Sequence, residues 1–167
     1  MEKYMSDLTR RDFVKTASAV TAAVTLPAWA ITENRSPIRI GFIGCGGRGT
    51  GAANQALQAN DSAVIWAMGD AFEDRLTSSM NTLIGEKGDR AEVPKDRQFV
   101  GFDAYQKVID SGVDMVILTT PPHFRPEHIA AAVKAKKHVF CEKPMAVDGS
   151  GVRSVMESTK LAKANGT

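Results

Sequence analysis

The sequence predicts an α/β protein built on a doubly wound parallel sheet, and three observations carry that expectation. Short runs of β-branched and aromatic residues alternate with longer stretches of helical period from Ile38 to Thr167, which calls for parallel strands joined by crossover helices. The first strand, Ile38-Arg39-Ile40-Gly41-Phe42-Ile43, runs straight into glycines spaced as Gly44, Gly46 and Gly49. The second strand closes on a carboxylate, Asp70, at the separation of roughly 20 residues that such folds use.

Each element follows in turn. Thr50 to Leu57 reads as the helix after the glycine turn, and Ala63 to Gly69 as the second strand. Ala71 to Ile84 has helical period, with Phe72, Leu76, Met80, Leu83 and Ile84 near one face. Gly85 to Arg97 is charged, carries Gly88 and Pro94, and is expected to be a solvated loop. Gln98-Phe99-Val100 is a short strand. Asp103 is expected to cap a helix with the apolar face Tyr105, Val108 and Ile109, which Gly112 ends. Val113 to Thr119 is the most apolar strand, as a central strand buried on both faces should be. Thr120-Pro121-Pro122-His123 stops it, Glu127 to Lys136 forms the next helix, and Lys137 to Cys141 the fifth strand. Asp148 caps a last helix to about Ala164, stopped by Asn165-Gly166. The expected strand order is 3-2-1-4-5, one strand short of the usual six, so the chain is read as incomplete.

The glycine turn carries the chemistry. Gly44 lets the strand turn sharply, Gly46 lets backbone approach a pyrophosphate, and Gly49 lets the helix pack close to the strand. The helix start offers unpaired N–H groups and the positive end of its dipole to phosphates. Strand, glycine turn, helix and following acid together form the context that the dinucleotide fingerprint needs. The fold class is therefore a Rossmann-type dinucleotide-binding sheet. Asp70 argues for NAD over NADP, because a carboxylate repels the 2′-phosphate and binds free ribose hydroxyls.

The first thirty residues read as an address. Thr9-Arg10-Arg11-Asp12-Phe13-Val14-Lys15 resembles the twin-arginine export signal, an uncharged Ala/Thr/Val run follows, and Ala28-Trp29-Ala30 is an A-x-A cleavage site. Residues 1–30 are thus expected to be a signal peptide, and 31–167 the folded part, periplasmic or secreted. The run is too short to span a bilayer comfortably, so no stable membrane anchor is expected. Of the 21 basic and 19 acidic residues, the signal holds four and three, leaving 17 and 16. That near-neutral balance shows no nucleic-acid footprint. The two cysteines, Cys45 and Cys141, form neither a disulfide framework nor, with the three histidines, a zinc spacing. On strands one and five they should lie roughly 9–10 Å apart, beyond disulfide reach of about 7 Å.

Three stretches then stand at the carboxyl ends of parallel strands: Gly44-Cys45-Gly46-Gly47-Arg48-Gly49, Thr119-Thr120-Pro121-Pro122-His123, and Glu142-Lys143-Pro144. Together they resemble the glucose–fructose oxidoreductase/inositol dehydrogenase (Gfo/Idh/MocA) family over Ile38 to Thr167, in its twin-arginine-exported branch. The resemblance implies an NAD(P)-binding domain, a following substrate domain absent from this chain, a sugar or polyol substrate, and a homo-oligomer at full length. It gives Lys143 the catalytic place beside nicotinamide and substrate. Thr120, Pro121, His123 and Glu142 inherit places around the nicotinamide half, with Gly44, Cys45, Gly46, Gly47, Arg48, Gly49 and Asp70 completing the cofactor site. No metal site is expected. Two departures stand out: Arg125 where many relatives have His, and Lys136 where a helix-ending glycine is usual. Lys136 is expected in left-handed backbone at a cost of roughly 1 kcal/mol. His128 and His138 are read as a helix-surface and a strand residue.

Hydride transfer at a secondary alcohol is the leading expectation. A glycosidase that oxidises its sugar transiently through NAD, and a non-catalytic nucleotide-binding protein or inactive fragment, are the alternatives.

Overall fold

The computed structural model describes residues 36–167; the expected signal peptide, residues 1–30, and its expected cleavage after Ala30 lie outside the described residues. Five strands form one parallel sheet, β1 (Ile38–Ile43), β2 (Ala63–Asp70), β3 (Gln98–Val100), β4 (Met115–Leu118) and β5 (His138–Cys141), in the order β3-β2-β1-β4-β5. The connecting helices are α1 (Gly47–Ala59), α2 (Glu73–Lys87), α3 (Ala104–Asp110) and α4 (Arg125–Lys134), and α5 (Gly149–Asn165) follows β5. From β1 the chain first winds outward to β3, then crosses back to β4 and β5. That reversal puts α1 and α2 on one face and α3 and α4 on the other.

Each face has its own core. Phe42, Ile65, Met68, Leu57, Leu76 and Leu83 pack under α1 and α2, while Val108, Ile109, Val116, Leu118, Ile129 and Val133 pack under α3 and α4. β1 pairs with β2 on one side and β4 on the other. The register with β2 skips a residue after Ile40–Ile65, leaving Trp66 as a bulge. At the amino end of the sheet, Asp114 accepts the Arg39 backbone N–H at 2.8 Å and two guanidinium N–H groups at 2.9 and 3.2 Å. The Arg39 guanidinium holds this carboxyl below its ordinary range. β4 is accordingly shorter than its apolar run, with Asp114 committed to β1 instead.

Several elements depart from expectation. α2 begins at Glu73, so Phe72 precedes it as extended backbone and is 60% exposed rather than part of the buried face. Residues 85–97 are not a solvated loop. α2 continues to Lys87, two 3₁₀ turns follow (Gly88–Ala91 and Lys95–Arg97), and Ala91 and Val93 are buried against the first core. Arg90 turns inward to donate to the Leu57 carbonyl at 2.9 Å and the Asn60 carbonyl at 3.2 Å, closing the carboxyl end of α1. Asp103 makes no cap bond, because it already has helical backbone angles; its carboxylate pairs with Lys107 at 2.8 Å. Asp148, in extended backbone, does cap α5 by accepting the Gly151 N–H at 2.6 Å. Lys136 takes the left-handed conformation, φ 57°. Both cysteines are free thiols, Cys45 buried and Cys141 half-buried, on either side of β4.

Candidate active site

The reversal of winding between β1 and β4 opens a crevice at the carboxyl ends of the strands, where open α/β sheets bind ligands. Its floor is the glycine turn. Gly44 has φ +95°, and a Cβ there would lie 2.7 Å from the Thr120 backbone nitrogen. A Cβ on Gly49 would meet the Gly44 carbonyl oxygen at 2.1 Å and Thr119 Oγ1 at 2.4 Å. These two glycines are demanded by the protein's own packing.

Gly46 and Gly47 are different. A Cβ on Gly46 would find only the Arg75 guanidinium, at 3.7 Å, and one on Gly47 nothing within 4 Å. Nothing in the described residues needs them small, so they keep clear a space outside the protein's own packing. That space lies over the start of α1, where Gly46 is the N-cap, no side chain caps the helix and its first turn holds no acid. Unpaired N–H groups and the positive helix end therefore face the opening. The residues present fit a pyrophosphate there.

Asp70 stands at the end of β2 on the same crevice. Its carboxylate accepts the Cys45 N–H at 2.6 Å and the Phe72 N–H at 3.0 Å, which fixes it on the rim. The cleft, about 450 Å³, is lined by Gly44, Gly46, Asp70, Thr120 and Pro121 among the expected site residues. Phe72, Phe102, Tyr105 and Phe124 give it aromatic walls. A second hollow of about 560 Å³ between α1 and α2 takes in Cys45 and Gly47, and Gly46 and Arg75 border both.

The remaining expected residues lie outside the cleft. Arg48 leans from the first turn of α1 across β4 to an ion pair with Glu142, Nε to Oε1 at 2.8 Å. The guanidinium holds the Glu142 carboxyl below the usual carboxylate range. Gly49 is enclosed in the helix. Cys45 is buried, its thiol pushed up first by burial and then by Asp70. It fills space rather than reacting. His123 is exposed, edge-on to Phe124 with ring centres 5.3 Å apart. Lys143 is exposed just beyond β5, before a cis peptide to Pro144.

His128 corrects the sequence reading. It is 5% exposed, not on the helix surface. Its Nδ1 lies 3.2 Å from Thr120 Oγ1, and its ring stacks on Tyr105 with centres 4.1 Å apart. Burial pulls its pKa down to about 4, so it is neutral at physiological pH. α4 starts at Arg125, two residues before the expected start, which puts Arg125, His128 and Ala132 on the buried face. Counted from Arg125, the residues His128, Ile129, Ala132 and Val133 fall at i+3, i+4, i+7 and i+8, and that spacing was the signal available.

Fold and crevice define a dinucleotide-binding α/β domain. Residues 38–167 match the Gfo/Idh/MocA family, described as an oxidoreductase family with an NAD-binding Rossmann fold, and the chain belongs to it. Residues 7–27 match the signal sequence of the twin-arginine translocation pathway. A myo-inositol 2-dehydrogenase of Thermotoga maritima is 35% identical over 125 residues, 75% of this chain and 34% of that protein. An alpha-N-acetylgalactosaminidase of Shewanella oneidensis is 23% identical over 96% of this chain and 39% of its own length. The crystal structure of a probable dehydrogenase from Thermotoga maritima superposes with a TM-score of 0.58 at 33% identity, covering 75% of this chain and 34% of that one. The chain thus spans about a third of the length of the dehydrogenases it matches.

Two predictions follow from this geometry. Gly46→Ala should leave thermal stability within about 0.5 kcal/mol while weakening NADH binding about tenfold or more, read by fluorescence titration. Gly49→Ala should cost roughly 3 kcal/mol or more, because its Cβ would overlap fixed backbone. Equal destabilisation by both would contradict the division of roles.

His128 sets an acid limb. Its folded pKa of about 4 lies below the ordinary 6.5, so the unfolded chain binds the proton first and stability falls as pH drops from about 6.5 to 4. The loss should reach at most roughly 3 kcal/mol. Urea midpoints of His128→Gln against wild type should diverge across that window, and parallel curves would refute it.

Proposed function

We propose that the protein is an exported, NAD-dependent oxidoreductase that transfers a hydride to or from a secondary alcohol of a sugar or polyol. The observation that carries this reading is the pair of glycines, Gly46 and Gly47, left open at an uncapped helix start, with Gly46 sharing the cleft with Asp70. In this reading Gly46, Gly47 and Arg48 present backbone N–H groups to the pyrophosphate, and Asp70 takes the ribose hydroxyls and favours NAD. Thr120, Pro121, His123 and Glu142 border the nicotinamide half. NAD supplies the hydride acceptor when bound. Lys143 holds the hydroxyl proton: as the alcohol C–H leaves with its electron pair, the O–H proton passes to Nζ, and the reverse reaction returns it. Residues 1–30 serve as the export signal and 31–167 as the nucleotide-binding domain, with the protein acting in the periplasm or as a secreted protein. The inositol dehydrogenase relative supports a polyol as substrate class.

The likeness to the galactosaminidase, which extends over nearly the whole chain, favours a second reading. In that reading the same residues would hold NAD, whose transient hydride chemistry would assist glycoside cleavage with no net redox change. Release of nitrophenol from p-nitrophenyl α-N-acetylgalactosaminide without NADH accumulation would select it.

The test of the first reading uses full-length protein. NAD-coupled oxidation of myo-inositol should fall about a hundredfold in Lys143→Ala, with NADH affinity nearly unchanged. Lys143→Arg should not restore turnover, because guanidinium does not release its proton at working pH. Wild-type turnover in Lys143→Ala would overturn the assignment.

A further inference from the structure

Arg125 opens α4 and is 6% exposed, a guanidinium inside the protein. Among the described residues all its hydrogen bonds go to backbone carbonyls, and none to a carboxylate. Nε donates to the Thr120 carbonyl at 2.7 Å, and one terminal nitrogen donates to both the Glu142 and the Pro144 carbonyls at 2.6 Å. A buried charge needs such partners, since an unsatisfied one is costly. Which partners it has is the informative point. Thr120 belongs to the turn leaving β4, whereas Glu142 and Pro144 are the two residues flanking Lys143.

Lys143 itself makes no side-chain hydrogen bond among the described residues and is exposed. Its place is therefore set by its backbone, and that backbone is gripped on both sides by one nitrogen of Arg125. The planar guanidinium can hold carbonyls on two separate loops in fixed directions, which a single ammonium cannot. Glu142 adds a second tie, through its side chain to Arg48 on α1.

We infer that Arg125 is a positioning residue: it clips the Lys143 segment to the Thr119–Pro121 turn and so sets where Lys143 stands over the crevice. This rests on the reading of Lys143 as the proton-transfer group. The clip acts on the nicotinamide half alone. Although Arg125 lines the same cleft, none of its hydrogen bonds goes to Gly44, Gly46 or Asp70, so cofactor binding should survive its loss while Lys143 drifts.

The experiment compares wild type, Arg125→Ala and Arg125→Lys as full-length protein. Hydrogen exchange by mass spectrometry should rise about tenfold or more in peptides covering 119–124 and 142–147, with β1 and α1 unchanged and NADH affinity within about threefold. Trace acetylation should show NADH shielding Lys143 in wild type and not in Arg125→Ala, with millimolar guanidinium restoring the shielding. If Arg125→Ala does not fold, Arg125→Lys, which keeps the charge and loses the fork, gives the same readout. Exchange that rises evenly across the sheet, or not at all at the two loops, would overturn the clip. If NADH fails to shield Lys143 in wild type, the Lys143 reading falls, and the exchange data still decide the clip.

Discussion

The convergence of three backbones at Gly44, Gly49 and Thr119 is the constraint on which the rest of the structure depends. Thr119 donates its N–H to the Ile43 carbonyl at 2.9 Å and its hydroxyl to the Gly44 carbonyl at 2.6 Å, while Gly44 donates to the Gly69 carbonyl at 2.9 Å. The ends of β1, β2 and β4 are thereby locked at one point. Only the missing Cβ atoms of Gly44 and Gly49 allow that approach. It aims the start of α1 into the crevice and fixes the distance between the glycine turn and Asp70. Without it, Gly46 and Gly47 would open onto nothing in particular.

From that fixed point the crevice is closed by two cationic side chains of opposite style. Arg48 is exposed and reaches Glu142 through a solvent-screened pair, which contributes little stability but ties α1 to the end of β5. Arg125 is buried and binds carbonyls only. One half of the crevice, from Gly44 to Asp70, is held by backbone packing and small residues. The other half, from Thr120 to Pro144, is held by guanidinium hydrogen bonds. The supports of the two halves meet only at the Thr119–Thr120 turn and at the exposed Arg48–Glu142 pair.

Much of this was legible in the chain. Strand order, the glycine turn, Asp70 and the cap at Asp148 all follow from local chemistry and fold rules, and the left-handed Lys136 from the family resemblance. What escaped was set by tertiary context. Ala91 and Val93 sit among charged residues, and only the inward turn of Arg90 toward the end of α1 explains their burial. The spacing of Arg125, His128, Ile129, Ala132 and Val133 marked a buried face, and reading the helix as starting at Glu127 left His128 on its surface. The partners of Arg125 carried no local signal, because they lie in the turn leaving β4 and in the segment after β5. Gly44 and Gly46 look alike in sequence; only the space around their missing Cβ atoms separates a packing glycine from one that leaves room for a ligand.

The central claim is that the uncapped start of α1 and Asp70 form one dinucleotide site. A crystal structure of the full-length protein grown with NAD tests it most directly. The account predicts pyrophosphate oxygens about 3 Å from the Gly47 and Arg48 amides, with the adenosine ribose hydroxyls on Asp70. A dinucleotide seated in the hollow between α1 and α2, with Asp70 still bound only to Cys45 and Phe72, would contradict it.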